Sequence, residues 1–359
     1  MTDCKKEKIL IMGAGNVGFG MAAHFIYHGE IVNIWNRTPA YLSEAQRTGV
    51  IRCNKVLDFE AKPAALSSNI EDVLANRIFI TTTAGAHAPI AKMLAPYINE
   101  STIIYLCPAR TFGAIDFLNV LKQNNCKHVP IIAELASVVH ATGSTRRDVS
   151  SNQVNLLSLK RGIKLAALNP LMCDSAMKAL PECMREYITP VESVAVTSLE
   201  NIGMMFHCAP MLMNIGLIEG EKSFDFYTDG ISKSVAGFIE QLDVERLAVG
   251  HAFGYKVLSV TEWLSEIYKT DSNSLFEALR QNPVYGGVLG PKFMTHRYIE
   301  DDVPFGLVPL ESAGNHLGVK TPLTTLLIDL ACAVMNKDYR ANGRILTKSI
   351  KELIKKTKD

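Results

Sequence analysis

The segment Lys8-Ile9-Leu10-Ile11-Met12-Gly13-Ala14-Gly15-Asn16-Val17-Gly18 decides the fold. Its apolar run predicts a strand over 8–12. Beyond it Val17, Met21, Ala22 and Phe25 recur at helical spacing, which predicts a helix over 16–28 with Gly29 as its stop. Gly13, Ala14, Gly15, Asn16, Val17 and Gly18 spell GxGxxG between the two elements. Gly13 permits the tight turn, Gly15 lets backbone approach a pyrophosphate, and Gly18 lets the helix pack close to the strand. The helix start offers N–H groups and a positive dipole end to phosphate. Alone, such a pattern is weak. Here a second strand over 31–35 closes a βαβ unit around it, the context that makes it a dinucleotide-binding turn.

The end of that second strand bears on the cofactor. An acidic residue there would accept hydrogen bonds from the ribose 2′-OH of NAD. This chain carries Asn36, Arg37 and Thr38 instead. With no carboxylate to repel a 2′-phosphate and a guanidinium to pair with it, NADP(H) is favoured. Arg37 could equally stack on an adenine, in which case NAD(H) serves too.

Working outward, further strands are expected over 77–82, 102–107 and 129–135, alternating with helix-compatible stretches, so the sheet is open and mostly parallel. Val154–Leu159 and Ile163–Leu168, separated by Lys160-Arg161-Gly162, suggest a hairpin. From about Thr197 the patterns become long and helical: 198–216, 232–253, 260–268, 274–281 and 322–335. The boundary falls near Thr189-Pro190. The expected architecture is α/β: a Rossmann-like dinucleotide-binding domain over 1–189, then an all-α domain over 190–359. A basic tail, Lys348–Lys358, reads as a solvated final helix.

Composition narrows the class. Of 359 residues 48% are hydrophobic and 20% charged, enough apolar material for two cores. Lys+Arg 37 against Asp+Glu 36 leaves a net charge of +1, which argues against nucleic-acid binding through a basic face. Eight cysteines without a CxxC pair suit reduced thiols in a cytoplasmic protein. The charged start at Met1 does not resemble a signal peptide, and no run of apolar residues predicts a membrane span. A homodimer is a possible assembly.

Two polar islands interrupt the apolar second half. His207 lies within Leu199–Pro210, an otherwise apolar helix, as either a satisfied core histidine or a proton-transfer group. The second island runs from His296 to Leu307. Its acids Glu300, Asp301 and Asp302 can cap a helix that begins at Val303-Pro304, and Arg297 could grip a carboxylate bidentately. His24 and His28 share metal-like i,i+4 spacing, but no third ligand accompanies them in sequence, so no metal is expected.

Taken together these segments resemble the bacterial opine dehydrogenases, of the octopine/nopaline and carboxyalkyl-norvaline dehydrogenase family. The resemblance spans nearly the whole chain. It rests on the glycine turn, Ala84-Gly85-Ala86-His87, Pro108-Ala109-Arg110-Thr111-Phe112-Gly113-Ala114 and Glu134. It continues through Leu199-Glu200-Asn201 to His207-Cys208-Ala209-Pro210, and Arg297-Tyr298 to Asp302-Val303-Pro304-Phe305-Gly306-Leu307. It implies a nicotinamide-binding domain followed by a helical one, and reductive joining of an L-amino acid to a 2-oxo acid such as pyruvate. It further implies that His207 and Asp302 form the catalytic pair, that Arg297 holds the keto-acid carboxylate and that Glu134 recognises the amino acid. Thr83, Ala84, His87 and Pro108 would line the cofactor. The family often has an aromatic pair after the glutamate; Leu135-Ala136-Ser137 stands there instead, which leaves the amino acid open.

Two other readings share the same nucleotide domain. A ketopantoate-type reductase would carry a lysine on the helix that here holds His207, and none lies between Ser198 and Gly216. A non-catalytic NADP-sensing regulator would leave the His207 and Arg297–Asp302 segments without a purpose.

Overall fold

Contacts in a computed structural model, which describes residues 6–142, 148–269 and 271–346, divide the chain into two units. The first comprises Met1–Ala109 and Gly113–Val194; the second takes Ala195–Asp359 together with Arg110–Phe112. The basic tail lies outside the described residues.

Twelve strands build the first unit: β1 (Ile9–Met12), β2 (Val32–Trp35), β3 (Ile51–Lys55), β4 (Phe59–Ala61), β5 (Ala65–Ser67), β6 (Arg77–Ile80), β7 (Ile103–Leu106), β8 (Ile131–Leu135), β9 (His140–Thr142), β10 (Gln153–Leu159), β11 (Ile163–Ala167) and β12 (Ile188–Pro190). Eight form one sheet in the order β12-β11-β8-β7-β6-β1-β2-β5. All its pairings are parallel except β8 with β11. Strands covered on both faces read as continuous apolar runs, and β1 and β2 are buried at every position. In register Met12 lies opposite both Trp35 and Ile80. The chain therefore leaves β1, β2 and β6 at one edge, and the order reverses at β1, the switch point where such sheets bind ligands.

The remaining strands form a smaller sheet, β4-β3-β10-β9. This corrects the expected hairpin: β10 pairs with β3 and β9, whereas β11 pairs with β8 and β12. Burial gives the reason. β10 alternates exposed and buried over its first residues, as a one-sided strand does, while β11 is buried nearly throughout. The smaller sheet also encloses the helix Asn16–Tyr27, whose residues Gly18 to Phe25 are all buried. Addition of a Cβ at Gly20 would bring it to 3.2 Å from Thr142 of β9.

The second unit contains no strand among its described residues. Its central helix, Lys233–Phe253, starts where Ser232 Oγ accepts the Val235 N–H and stops at Gly254, φ +86°. The helix expected over 198–216 is broken into Val194–Leu199, Gly203–Met213 and Ile215–Ile218. Arg246, fully buried and ion-paired with Asp243, donates to the Leu199 carbonyl at 2.5 Å. That carbonyl is thereby satisfied outside the helix, and Ile202 turns back onto Glu200.

Candidate active site

At the glycine turn of the first unit each glycine has a measurable reason. Gly13 has φ +119°, and a Cβ there would lie 2.9 Å from Thr81 Oγ1. A Cβ on Gly18 would strike the Gly13 carbonyl oxygen at 1.8 Å, so nothing larger fits between strand and helix. Gly15 differs: a Cβ there would meet nothing within 4 Å. As N-cap of the helix Asn16–Tyr27 it supplies no side-chain cap, and the first turn holds no acid. Open space before a helix start that has no side-chain cap is a cradle that fits a pyrophosphate. Asn36 Oδ1 accepts the Ala14 N–H at 2.9 Å, tying the end of β2 to the turn. Arg37 and Thr38 are exposed beside it.

The other residues expected to line the cofactor follow β6 and β7. Thr83 is exposed, Ala84 and His87 are buried, and Pro108 is half-buried after a cis peptide bond. Glu134 is fully buried, and its Oε2 accepts the Ala114 N–H near the start of the helix Gly113–Gln123. What the structure shows of Glu134 is thus a carboxylate at a helix start.

In the second unit His207 and Asp302 meet. His207 Nδ1 lies 2.7 Å from Asp302 Oδ2 across 95 residues of sequence. Tyr298 stacks on the imidazole with ring centroids 3.7 Å apart, and the Tyr227 hydroxyl stands 3.3 Å from Nε2. The acids do not cap a helix, contrary to the simple expectation: Asp302 makes no side-chain cap bond, and a π turn, Val303–Leu307, follows it directly. Arg110 accounts for the difference. Its Nη1 forms an ion pair with Asp302 Oδ1 at 3.0 Å and its Nε one with Asp301 at 3.1 Å. Glu300 turns to Lys337 and Tyr339.

Arg110 is the site residue that sequence reasoning missed. It sits inside the Pro108–Ala114 motif, where the structure shows it at φ +61°, an uncommon conformation for a non-glycine residue. Asn201 Oδ1 accepts from Arg110 Nη1, while the buried Asn201 Nδ2 has no hydrogen-bond partner among the described residues. These groups converge over Gly203, where a Cβ would stand 3.2 Å from Arg110, 3.4 Å from His207 and 3.5 Å from Asn201. Arg297 is exposed, with its guanidinium 5.5 Å from the Tyr298 ring centre.

Burial pulls the His207 imidazole below its ordinary value, against the opposing pull of Asp302. Burial pushes the Asp302 carboxyl up, but Arg110 and then His207 outweigh it and hold the group below the usual carboxylate range. The free protein therefore carries a neutral imidazole beside a carboxylate. With Nδ1–H donating to Asp302, Nε2 keeps a lone pair that can take up and return a proton.

In the first unit Cys183 joins the histidine pair that lacked a third ligand in sequence: donor atoms of His24, His28 and Cys183 lie within 4.8 Å of one another.

A glycine turn at the switch point of a mostly parallel sheet, followed by a helical unit in which a half-buried histidine meets a buried aspartate, defines a two-unit nicotinamide-dependent oxidoreductase. Residues 190–335 match the family model described as NAD/NADP octopine/nopaline dehydrogenase, alpha-helical domain. Residues 9–108 match that of ketopantoate reductase PanE/ApbA, so the rival reading finds its match within the nucleotide-binding unit. An opine dehydrogenase from Arthrobacter sp. (strain 1C) is 34% identical over 341 residues, 94% of this chain and 93% of its own. The chain belongs to the opine dehydrogenase family. In fold it is similar to octopine dehydrogenase with NADH and L-arginine (TM-score 0.77, 17% identity, 96% of this chain and 93% of that one). Yersinopine dehydrogenase with NADP+ is likewise similar (TM-score 0.77, 12% identity, 98% of each chain).

Proposed function

We propose that this protein reversibly joins the amino group of an L-amino acid to a 2-oxo acid such as pyruvate, giving an N-(carboxyalkyl)amino acid, with NADPH preferred over NADH. The observation that carries the reading is the His207–Asp302 contact of 2.7 Å, which leaves Nε2 as the proton-handling atom. When bound, the nicotinamide supplies the hydride that reduces the imine carbon. The chain's residues handle protons and charge. His207 Nε2 takes a proton from the amine as it condenses with the carbonyl, and returns one to the carbinolamine hydroxyl as it leaves as water. Asp302 holds the imidazole tautomer and stabilises the transient imidazolium, and Arg110 fixes Asp302. Arg297, exposed near the Tyr298 ring that stacks on His207, offers its planar fork to the keto-acid carboxylate. The Asn201 amide offers a donor that no group among the described residues uses.

NADPH preference is supported by Arg37 at the exposed end of β2, with no acid at Asn36–Thr38. The test follows NADPH consumption with an amino acid panel and pyruvate together, then each alone. Turnover that requires both supports the reading. Consumption with the 2-oxo acid alone, at the same rate, would point to a simple keto-acid reductase.

A further inference from the structure

His24 lies in the helix Asn16–Tyr27 and His28 is its C-cap; Cys183 comes from the short helix Glu182–Arg185. Their donor atoms lie within 4.8 Å of one another, with His24 buried, Cys183 half-buried and His28 exposed. None of the mechanism above uses them. Two imidazoles and a sulfur form a borderline-soft donor set, which suits zinc and disfavours the hard cations calcium and magnesium. A tetrahedral zinc with bonds of about 2.0–2.3 Å holds its ligands about 3.5 Å apart. The exposed His28 and the half-buried Cys183 need to close by only about an ångström to reach that spacing.

A second observation concerns orientation. His24 Nδ1 lies 3.0 Å from Nε2 of His140, which is fully buried in β9. A ligating imidazole characteristically donates its other N–H to a fixed partner, which sets the tautomer and aims the free nitrogen. With Nδ1–H given to His140, His24 keeps Nε2 for a metal. Cys183 is a free cysteine.

From this geometry we infer that His24, His28 and Cys183 form a zinc site, with His140 orienting His24 and solvent completing the coordination. The ion would tie the end of the first helix to the helix Glu182–Arg185 and stabilise the first unit. Zinc binds the thiolate form of a cysteine, so binding will release a proton to buffer.

The experiment uses the full chain, stripped with a chelator and titrated with zinc ion against a chromophoric competitor. One zinc per chain is expected, with submicromolar affinity and a rise of several degrees in Tm. Cobalt(II) should give a sulfur-to-metal charge-transfer band in the near ultraviolet. Cys183→Ser should abolish that band, and His28→Gln, at an exposed position, should weaken zinc binding at least tenfold without altering the circular dichroism of the apo protein. His140→Gln should weaken binding about 10–100-fold. The site is refuted if wild type takes up no stoichiometric zinc, if the band persists in Cys183→Ser, or if His28→Gln binds zinc like wild type.

Discussion

Arg110 Nη1 stands 3.0 Å from Asp302 Oδ1 while His207 Nδ1 stands 2.7 Å from Oδ2 of the same carboxylate. One buried carboxylate thus answers to two partners. The arginine keeps it ionised, and the ionised carboxylate in turn orients the histidine. Removing either partner should therefore be visible in the titration of the other.

The two residues of the proposed proton-handling pair should fail as a unit. General acid–base groups contribute about 10²–10⁴-fold, so His207→Ala should lose that much in kcat/KM. Asp302→Asn should lose a comparable amount by misorienting the imidazole, and the double variant little more than either. Losses that multiply in steady-state kinetics with amino acid and pyruvate would refute the pair.

The acid limb of kcat/KM should report the free enzyme's His207, below its ordinary value of 6.5 because of burial. Activity should rise with pH through that limb as the imidazole becomes neutral. Asp302 pulls the imidazole up, so Asp302→Asn should move the limb to lower pH. Arg110 pulls it down, so Arg110→Gln should move it to higher pH. Shifts of the same sign in the two pH profiles would contradict this arrangement.

Arg110→Gln should also cost stability. Breaking a buried ion pair by removing one partner costs about 3–5 kcal/mol, because the remaining charge stays buried. Calorimetry should show a Tm lowered by several degrees, in part recovered when Asp302→Asn is combined with it. An unchanged Tm would mean that solvent already reaches the carboxylate.

Arg297→Lys should raise the KM for the 2-oxo acid, since a point charge cannot reproduce the planar fork. Fluorescence titration with NADPH should be nearly unchanged. Normal pyruvate kinetics in the variant would remove Arg297 from substrate binding.

Cofactor choice should turn on Arg37. Losing one charge-assisted contact to a phosphate is worth about 1.5–3 kcal/mol, so Arg37→Ala should reduce kcat/KM for NADPH by roughly 10–100-fold and spare NADH. Equal losses with both cofactors, or equal use of both by wild type, would count against the preference.

What could be read locally was local in cause. The turn at Gly13–Gly18 is legible because strand, glycines and helix are contiguous. The helices Lys233–Phe253 and Val260–Tyr268 are legible because their apolar spacing and caps at Ser232, Gly254 and Ser259 lie within the segments themselves. The residue types at His207, Arg297 and Asp302 also stood out against apolar surroundings. Other features depended on partners far away in the chain. Whether β10 and β11 formed a hairpin depended on which sheet each could complete, and β3 lies about a hundred residues before its partner β10. The break after Leu199 depended on Arg246 taking a carbonyl 47 positions earlier. Arg110 looked like one member of a loop motif; its bond to Asp301, 191 residues on, made it part of the site. Local spacing records how a segment can fold, whereas a buried charge is decided by the partner that compensates it, and only the tertiary structure brought these partners together.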